Sequence, residues 1–272
     1  SLVAKAHRVK KIEPQAILVM GDGTTINLKD SVSLAALVSM KMALSADEDV
    51  LTYTKGSVDT VIEYHTMKIP RGGEYVLVLS DGTTVYLNAE SELMYPVKFR
   101  GNDRRVFLKG EAYFDVHHDP VHPFYVKTKS LDVKVLGTSF NVKAYRNASI
   151  VETSLVEGVV SVKDNVLRPD MQATYHEESG DFSYRKIKGE NYRLRKEQMF
   201  VFEEERLDDI LQEMARWYDF EVFYRNPEMA EKRFGFKLEK YEHVDSLLKI
   251  LELTGEVKFE MNGKTLIVKG VG

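Results

Sequence analysis

One short segment combines three imidazoles and a carboxylate, at His117, His118, Asp119 and His122. These side chains are common ligands of transition metals, so the segment is a candidate metal site. However, Pro120 and Pro123 frame it as a loop, and no matching ligand motif stands out elsewhere in the sequence. We therefore expect no metal site here.

Carboxylate pairs and a glycine-rich turn are the other candidates for chemistry. Glu90 with Glu92 and Asp208 with Asp209 could act as acid and base, but such pairs are also ordinary on exposed faces and at helix starts. Arg71 precedes two glycines that could hold an anion, yet no helix or phosphate-loop pattern follows. The sequence has no Gly-x-Ser-x-Gly, His-Glu-x-x-His or Walker motif. We expect no catalytic residue, no cofactor and no enzymatic activity.

Length and composition are those of a folded chain with two domains. The 272 residues are 43% hydrophobic and 10% aromatic, with a net charge of -4 and no cysteine. This charge gives no broad reason to bind nucleic acid, and the absence of cysteine excludes disulfides and thiol catalysis. The chain begins with Ser1 and has neither a signal peptide nor an apolar run long enough to cross a bilayer. We expect a fragment or a processed form.

Residues 106–145 alternate between apolar and polar side chains and predict the core of a sheet. The side chains of one face are apolar: Val106, Leu108, Ala112, Phe114 and Val116. The side chains of the opposite face are polar: Lys109, Glu111, Asp115 and His117. Strands with one wet face are typical of antiparallel sheets or solenoids. Turn signals recur every dozen residues or so, which favours an all-β first domain.

Three Asp-Gly or Asn-Gly pairs predict hairpins with two-residue type I′ turns. Asp22-Gly23 and Asp81-Gly82 lie in matching stretches, residues 16–28 and 77–87, which look like one duplicated unit. Asn262-Gly263 is the third pair. Between the two copies, the sequence predicts a helix over residues 31–44, a loop over 46–49 and a strand over 50–53.

The polar stretch 189–198 predicts the domain boundary, which divides the chain into residues 1–190 and 191–272. Helical periodicity follows over residues 203–218 and 244–251, and short strand patterns separate these helices. The predicted order is strand, helix, strand, strand, helix, strand, strand. We expect two helices packed on one face of a small sheet.

Several linked motifs resemble the FecR family in its order. They comprise residues 70–75, 79–91, 95–96, 108–116 and 135–142. Tyr86 stands where the family commonly has tryptophan. Residues 199–268 resemble the small domain that often follows, which is similar to the short N-terminal domains of secretins and TonB-dependent receptors.

The resemblance implies the periplasmic sensor of a single-pass inner-membrane anti-sigma factor. Its partners would be the signalling domain of an outer-membrane TonB-dependent transducer and, through a cytoplasmic segment absent here, an extracytoplasmic-function sigma factor. The implied fold is β-rich and solenoid- or sandwich-like. Two alternatives compete: a hydrolase, for which the chain offers no constellation, and a carbohydrate-binding or adhesion module that would use exposed tyrosines. The tyrosines in question are Tyr86, Tyr95 and Tyr113.

A strand edge in the second domain is the candidate partner-binding site. Apolar residues occupy every second position of residues 233–238, and basic residues or glycine lie between them. This pattern predicts a strand, and a strand at the edge of a sheet can accept a partner strand. We expect Arg233, Gly235 and Lys237 to face the partner. The apolar residues between and after them are expected to point into the core under the helices: Phe234, Phe236 and Leu238.

Overall fold

The computed structural model describes residues 15–39, 43–46, 49–53, 62–197, 199–240 and 243–271. The chain forms two compact units, which divide between Tyr192 and Arg193. In the described ranges, no helix has both the length and the apolar character needed to span a membrane.

The first unit is mainly β, as predicted. It contains the helix α1 (Ser31–Ser39), and a second helix, α2 (Gly189–Arg195), begins in it and spans the division between the units. The strands of this unit among the described residues, in chain order, are β1 (Ile17–Val19), β2 (Thr25–Asn27), β3 (Ala43–Ala46), β4 (Val50–Tyr53), β5 (Tyr64–Ile69), β6 (Tyr75–Val78), β7 (Thr84–Leu87), β8 (Ser91–Pro96), β9 (Arg104–Asp115), β10 (Phe124–Lys127), β11 (Asp132–Val135), β12 (Ser139–Ala144), β13 (Ile150–Glu157), β14 (Val160–Val162), β15 (Asn165–Leu167), β16 (Met171–His176) and β17 (Phe182–Lys186).

These strands form one continuous sheet that folds into two layers. Layer I has the order β2-β1-β5-β8-β9-β10-β11-β14-β15. Layer II has the order β3-β4-β6-β7-β9-β12-β13-β16-β17. The long strand β9 belongs to both. Its first half pairs with β8 and β10, and its second half pairs with β7 and β12.

The two layers pack face to face, so the first unit is sandwich-like. Phe114 in layer II lies 6.3 Å from Phe124 in layer I, measured between ring centroids. Tyr53 in layer II is hydrogen-bonded through its hydroxyl to Nδ1 of the buried His65 in layer I, at 2.7 Å. Apolar residues of both layers form one core. The strand β9 changes layers at Gly110, whose φ is +103°.

The predicted faces of β9 are correct, but the outer face of its second half is not wet. Glu111 is 2% exposed and Tyr113 is 4% exposed. Tyr113 packs with Val156, Ile187 and Tyr192, so the chain itself covers this part of layer II. Asn141 Nδ2 donates to Glu111 Oε1 at 2.9 Å, and a second amide bonds the other oxygen. The alternation of apolar and polar residues within β9 could not show that residues far along the chain bury its outer face.

All three predicted hairpins are present, but their turns differ from type I′. φ is positive at Gly23 (+87°) and Gly82 (+88°) but not at the preceding aspartates. In these two hairpins the residue before the loop donates its N–H to the carbonyl of the residue after it, at 2.8 Å. Both loops therefore have three residues with glycine in the left-handed position. The two copies share this geometry.

The third hairpin is shifted by one residue. Asn262 pairs with Thr265 in the ladder, so the two-residue loop is Gly263-Lys264. φ is positive at Gly263 (+62°) and not at Lys264, as a type II′ turn requires.

The predicted helix over residues 31–44 is shorter in the structure. It ends with α1 at Ser39, and β3 begins at Ala43. Asp30 starts the helix, because its carboxylate accepts the N–H groups of Val32 and Ser33. The predicted strand over 50–53 is β4. The predicted loop begins at Ala46, which is the last residue of β3, and residues 47–48 lie outside the described ranges.

The polar stretch 189–198 is not the featureless linker that its composition predicts. Its first part is α2, and Asn191 and Tyr192 are buried. Tyr192 accepts a hydrogen bond on its hydroxyl from Gln172 Nε2 at 3.0 Å. A polar helix with one buried edge is too short to show helical periodicity in the sequence.

The second unit has the predicted order of elements. These are β18 (Met199–Arg206), α3 (Leu207–Tyr218), β19 (Glu221–Tyr224), a 3₁₀ helix (Pro227–Glu231), β20 (Arg233–Glu239), α4 (Val244–Glu252), β21 (Val257–Asn262) and β22 (Thr265–Gly270). The single sheet that we predicted is wrong. The strands form two sheets, β18-β20 and β19-β22-β21, and both helices share one core with them. Local patterns do not specify which strands pair.

Candidate partner-binding edge

The predicted edge strand β20 pairs with β18 alone among the described residues. The two strands are antiparallel, and their register shifts between Phe202 and Glu205. Glu204 lies inside this bulge with φ of +49°. The other side of β20 is therefore a free sheet edge.

The hydrogen bonds of the ladder fix the direction of each backbone amide in β20. Arg206 lies opposite Arg233 in the ladder. The hydrogen bond beside this pair joins their neighbours, because Leu207 N–H donates to Lys232 O at 2.7 Å. Arg206 and Arg233 are thus a non-hydrogen-bonded pair, and the N–H of Phe234 faces β18. By alternation, the N–H groups of Arg233, Gly235 and Lys237 face the free edge.

The side chains of β20 alternate in the same way. Phe234 is buried, and Phe236 and Leu238 pack against the core of the unit. Arg233 and Lys237 are exposed. Arg233 Nη1 donates to Glu204 O at 2.7 Å and so helps to hold the bulge. What the edge offers a partner is its backbone, with two cationic side chains beside it.

Gly235 lies opposite the bulge and has room for a small side chain. A Cβ atom there would lie 3.4 Å from Glu204 N and 3.5 Å from Phe202 O, which is ordinary contact. The φ of Gly235 lies outside the left-handed region. Alanine therefore fits at this position.

The histidine loop of the first unit is organised by a buried arginine. Arg104 is 3% exposed. Its guanidinium donates to Asp81 Oδ2 at 2.8 Å and to the backbone oxygens of His117 (2.9 Å) and His122 (2.8 Å). Arg104 thereby joins this loop to the hairpin turn of β6 and β7. The sequence pattern did not predict a role for Arg104, although position 104 lies on the same inward face of β9 as the apolar residues that follow it.

Within this loop, the imidazole of His122 and the carboxylate of Asp119 are hydrogen-bonded to each other. His122 Nδ1 lies 2.8 Å from Asp119 Oδ2, and Asp119 Oδ1 accepts two backbone N–H groups. The hydrogen bond with the His122 side chain has the largest effect, and together these bonds lower the pKa of Asp119 to about 2. Within the described ranges, no three His, Cys, Asp or Glu side chains converge as metal ligands would.

Two family models match the chain in order. The model described as FecR protein matches residues 65–161, and the model described as FecR, C-terminal matches residues 199–268. Together they cover more than half of the sequence. The chain belongs to the FecR family. This family consists of anti-sigma regulators, which are not catalytic.

Solved structures share the fold of this FecR-family chain. Two crystal structures of a candidate anti-sigma factor from Parabacteroides distasonis ATCC 8503, at 1.65 Å and 2.50 Å resolution, are each 24% identical to it with a TM-score of 0.70. They cover 76% and 77% of this chain, and 99% and 100% of their own. Among curated proteins, none matches the sequence.

The carboxylates that could have formed acid–base pairs have other partners. Glu90 accepts from Arg71 Nε at 2.7 Å, so the arginine beside the two glycines is engaged as well. Glu92 lies near Lys109, and Asp208 accepts the hydroxyl of Tyr224 at 3.1 Å. Each group has the contacts of an ordinary surface ion pair or hydrogen bond.

Two of the three tyrosines that were expected to be exposed for sugar stacking are buried. Tyr95 is fully buried and Tyr113 is 4% exposed. Tyr86 packs against Tyr113 with ring centroids 6.1 Å apart. The expectation is wrong for Tyr95, which lies in the core, and for Tyr113, which the chain covers on layer II, whereas Tyr86 is half-buried. The carbohydrate-binding alternative loses the feature on which it rested.

Proposed function

We propose that this chain is the periplasmic sensor of a single-pass inner-membrane anti-sigma factor. It relays a signal from an outer-membrane TonB-dependent transducer to an extracytoplasmic-function sigma factor, which is held by a cytoplasmic segment outside this sequence. Family membership over both units supports this role. The observation that carries the docking step is the free edge of β20, where three amide donors face away from β18.

In this proposal, residues 191–272 are the domain that docks the transducer and residues 1–190 are the β-rich domain that transmits the event. The signalling domain of the transducer adds a strand to β20, so that its carbonyl groups accept the amides of Arg233, Gly235 and Lys237. The cationic side chains of Arg233 and Lys237 then lie beside the added strand.

Calorimetric titration with the signalling domain of the cognate transducer tests the docking edge. A Gly235→Pro variant loses an edge donor but no bond to β18, because this N–H faces outward. The loss of one backbone hydrogen bond, with the clash of the ring, should weaken binding by about tenfold.

Gly235→Ala is the matched control, since it keeps the N–H and its Cβ fits beside Glu204. It should bind as the parent does, and both variants should keep the parental circular dichroism spectrum. If the folded proline variant bound with parental affinity, the β20 edge would not be the docking site. If the parent did not bind the signalling domain at all, the transducer relay itself would be refuted.

A further inference from the structure

The second unit has another free edge, on β21. This strand lies at the end of the sheet β19-β22-β21 and pairs with β22 alone in the part of the chain that the structure describes. Val257 lies opposite Gly270 in the ladder. The hydrogen bond beside this pair joins their neighbours, because Val271 N–H donates to Glu256 O at 3.3 Å. Val257 and Gly270 are therefore a non-hydrogen-bonded pair. The N–H groups of Val257, Phe259 and Met261 consequently face away from β22.

A carboxylate from helix α4 occupies the middle of this edge. Glu252 Oε1 accepts the N–H of Phe259 at 2.8 Å. It stands where the backbone carbonyl of an added strand would stand. Side chains of α4, with Asp245 and Lys249 among them, and the side chains of Phe259 and Met261 line an open groove of about 460 Å³. A groove between a helix and a strand edge is the geometry that accepts extended peptides.

The charges on the outer face of β21, which points away from α4, favour an acidic neighbouring strand. Lys258 lies directly opposite Lys269 in the ladder, and like charges in that position repel. Lys269 is paired with Glu260. Lys258 has no ion-pair partner among the described residues. Lys249 lines the groove together with the carboxylates of Asp245 and Glu252, so the groove itself has no excess of positive charge. An acidic side chain on an added strand, opposite Lys258, would supply the missing ion-pair partner.

We propose that the groove between α4 and β21 binds an extended, acidic segment of a partner protein by strand addition, and that Glu252 is a displaceable cap on its central donor. The five residues 257–261 span about 17 Å, which matches a short strand. Alternate side chains of the segment would lie over Phe259 and Met261 beneath α4, and the others beside Lys258. This site is separate from the β20 edge and does not rest on the transducer relay.

Fluorescence anisotropy tests the groove on the whole chain. The probe is a fluorescein-labelled decapeptide that alternates valine and glutamate, and the comparison peptide alternates valine and lysine. We expect the parent to bind the glutamate peptide in preference. Glu252→Ala frees the N–H of Phe259 and should tighten binding several-fold. Lys258→Glu should weaken it about tenfold, and the lysine peptide should become the better ligand.

Lys186→Glu, at an exposed position of the first unit, makes the same change of charge away from both proposed edges and should leave binding unchanged. The proposal is overturned if neither the parent nor Glu252→Ala binds the glutamate peptide saturably. It is also overturned if both peptides bind equally, or if Lys186→Glu weakens binding as much as Lys258→Glu does. Because none of the variants changes a buried side chain, circular dichroism should show a parental fold for each.

Discussion

A methyl group at Gly110 should disrupt the passage of β9 between the two layers. Gly110 has φ of +103°, a backbone conformation that L residues rarely adopt. A Cβ atom there would lie 2.6 Å from Ser91 Cα and 2.7 Å from Ser91 Cβ. Ser91 cannot move freely, because its hydroxyl accepts the N–H of Glu111 at 2.9 Å and donates to Glu111 O at 3.1 Å.

Two costs add in the Gly110→Ala variant. The left-handed backbone costs about 1–2 kcal/mol for a residue with a side chain, and overpacking against a fixed backbone costs about 1–3 kcal/mol. The free energy of unfolding of the first unit should therefore fall by about 2–5 kcal/mol. For a unit of this size, that lowers the melting temperature by roughly 5–20 °C.

Gly101→Ala separates the two costs. Gly101 has φ of +88° with nothing within 4 Å of the added Cβ, so only the backbone cost of about 1–2 kcal/mol applies. Urea unfolding should be followed by far-ultraviolet circular dichroism, because the single tryptophan, Trp217, is buried in the second unit. Equal destabilisation by the two alanines would refute the argument from the contact with Ser91.

Three further predictions concern the turns, a buried histidine and the domain boundary. Gly82→Val and Gly263→Val should each lower stability by about 1 kcal/mol or more, and parental melting curves for both would contradict the observed turns. Burial lowers the pKa of His65, although a bond to a nearby carboxylate opposes this. Because the unfolded chain then binds the proton more readily, stability should be full above about pH 6.5 and fall as the pH drops below it. His65→Gln should flatten that slope, and an unchanged slope would exclude His65 as its source. Limited proteolysis should cut first near residues 193–196 and release a stable C-terminal piece, whereas a first cut within 106–145 would contradict the division.

The candidate site could be predicted only in part. Alternation placed Phe234 inward and Lys237 outward, because successive side chains of a strand point to opposite faces. It could not show that the amide of Gly235 faces a free edge, since that follows from the ladder with β18. The groove beside β21 was not predicted, because it depends on how α4 lies against a strand that is distant in sequence.

The sequence by itself determined the local elements. Apolar alternation specified the strands of the first unit, and helical spacing specified α3 and α4, since both patterns reflect which side chains share a face. Tertiary structure decided how those elements pair. It made β9 common to two layers, covered Glu111, buried Arg104 against two loops and divided the second unit into two sheets. These features depend on strand register and on contacts between residues far apart in the chain, and local periodicity carries no information about either.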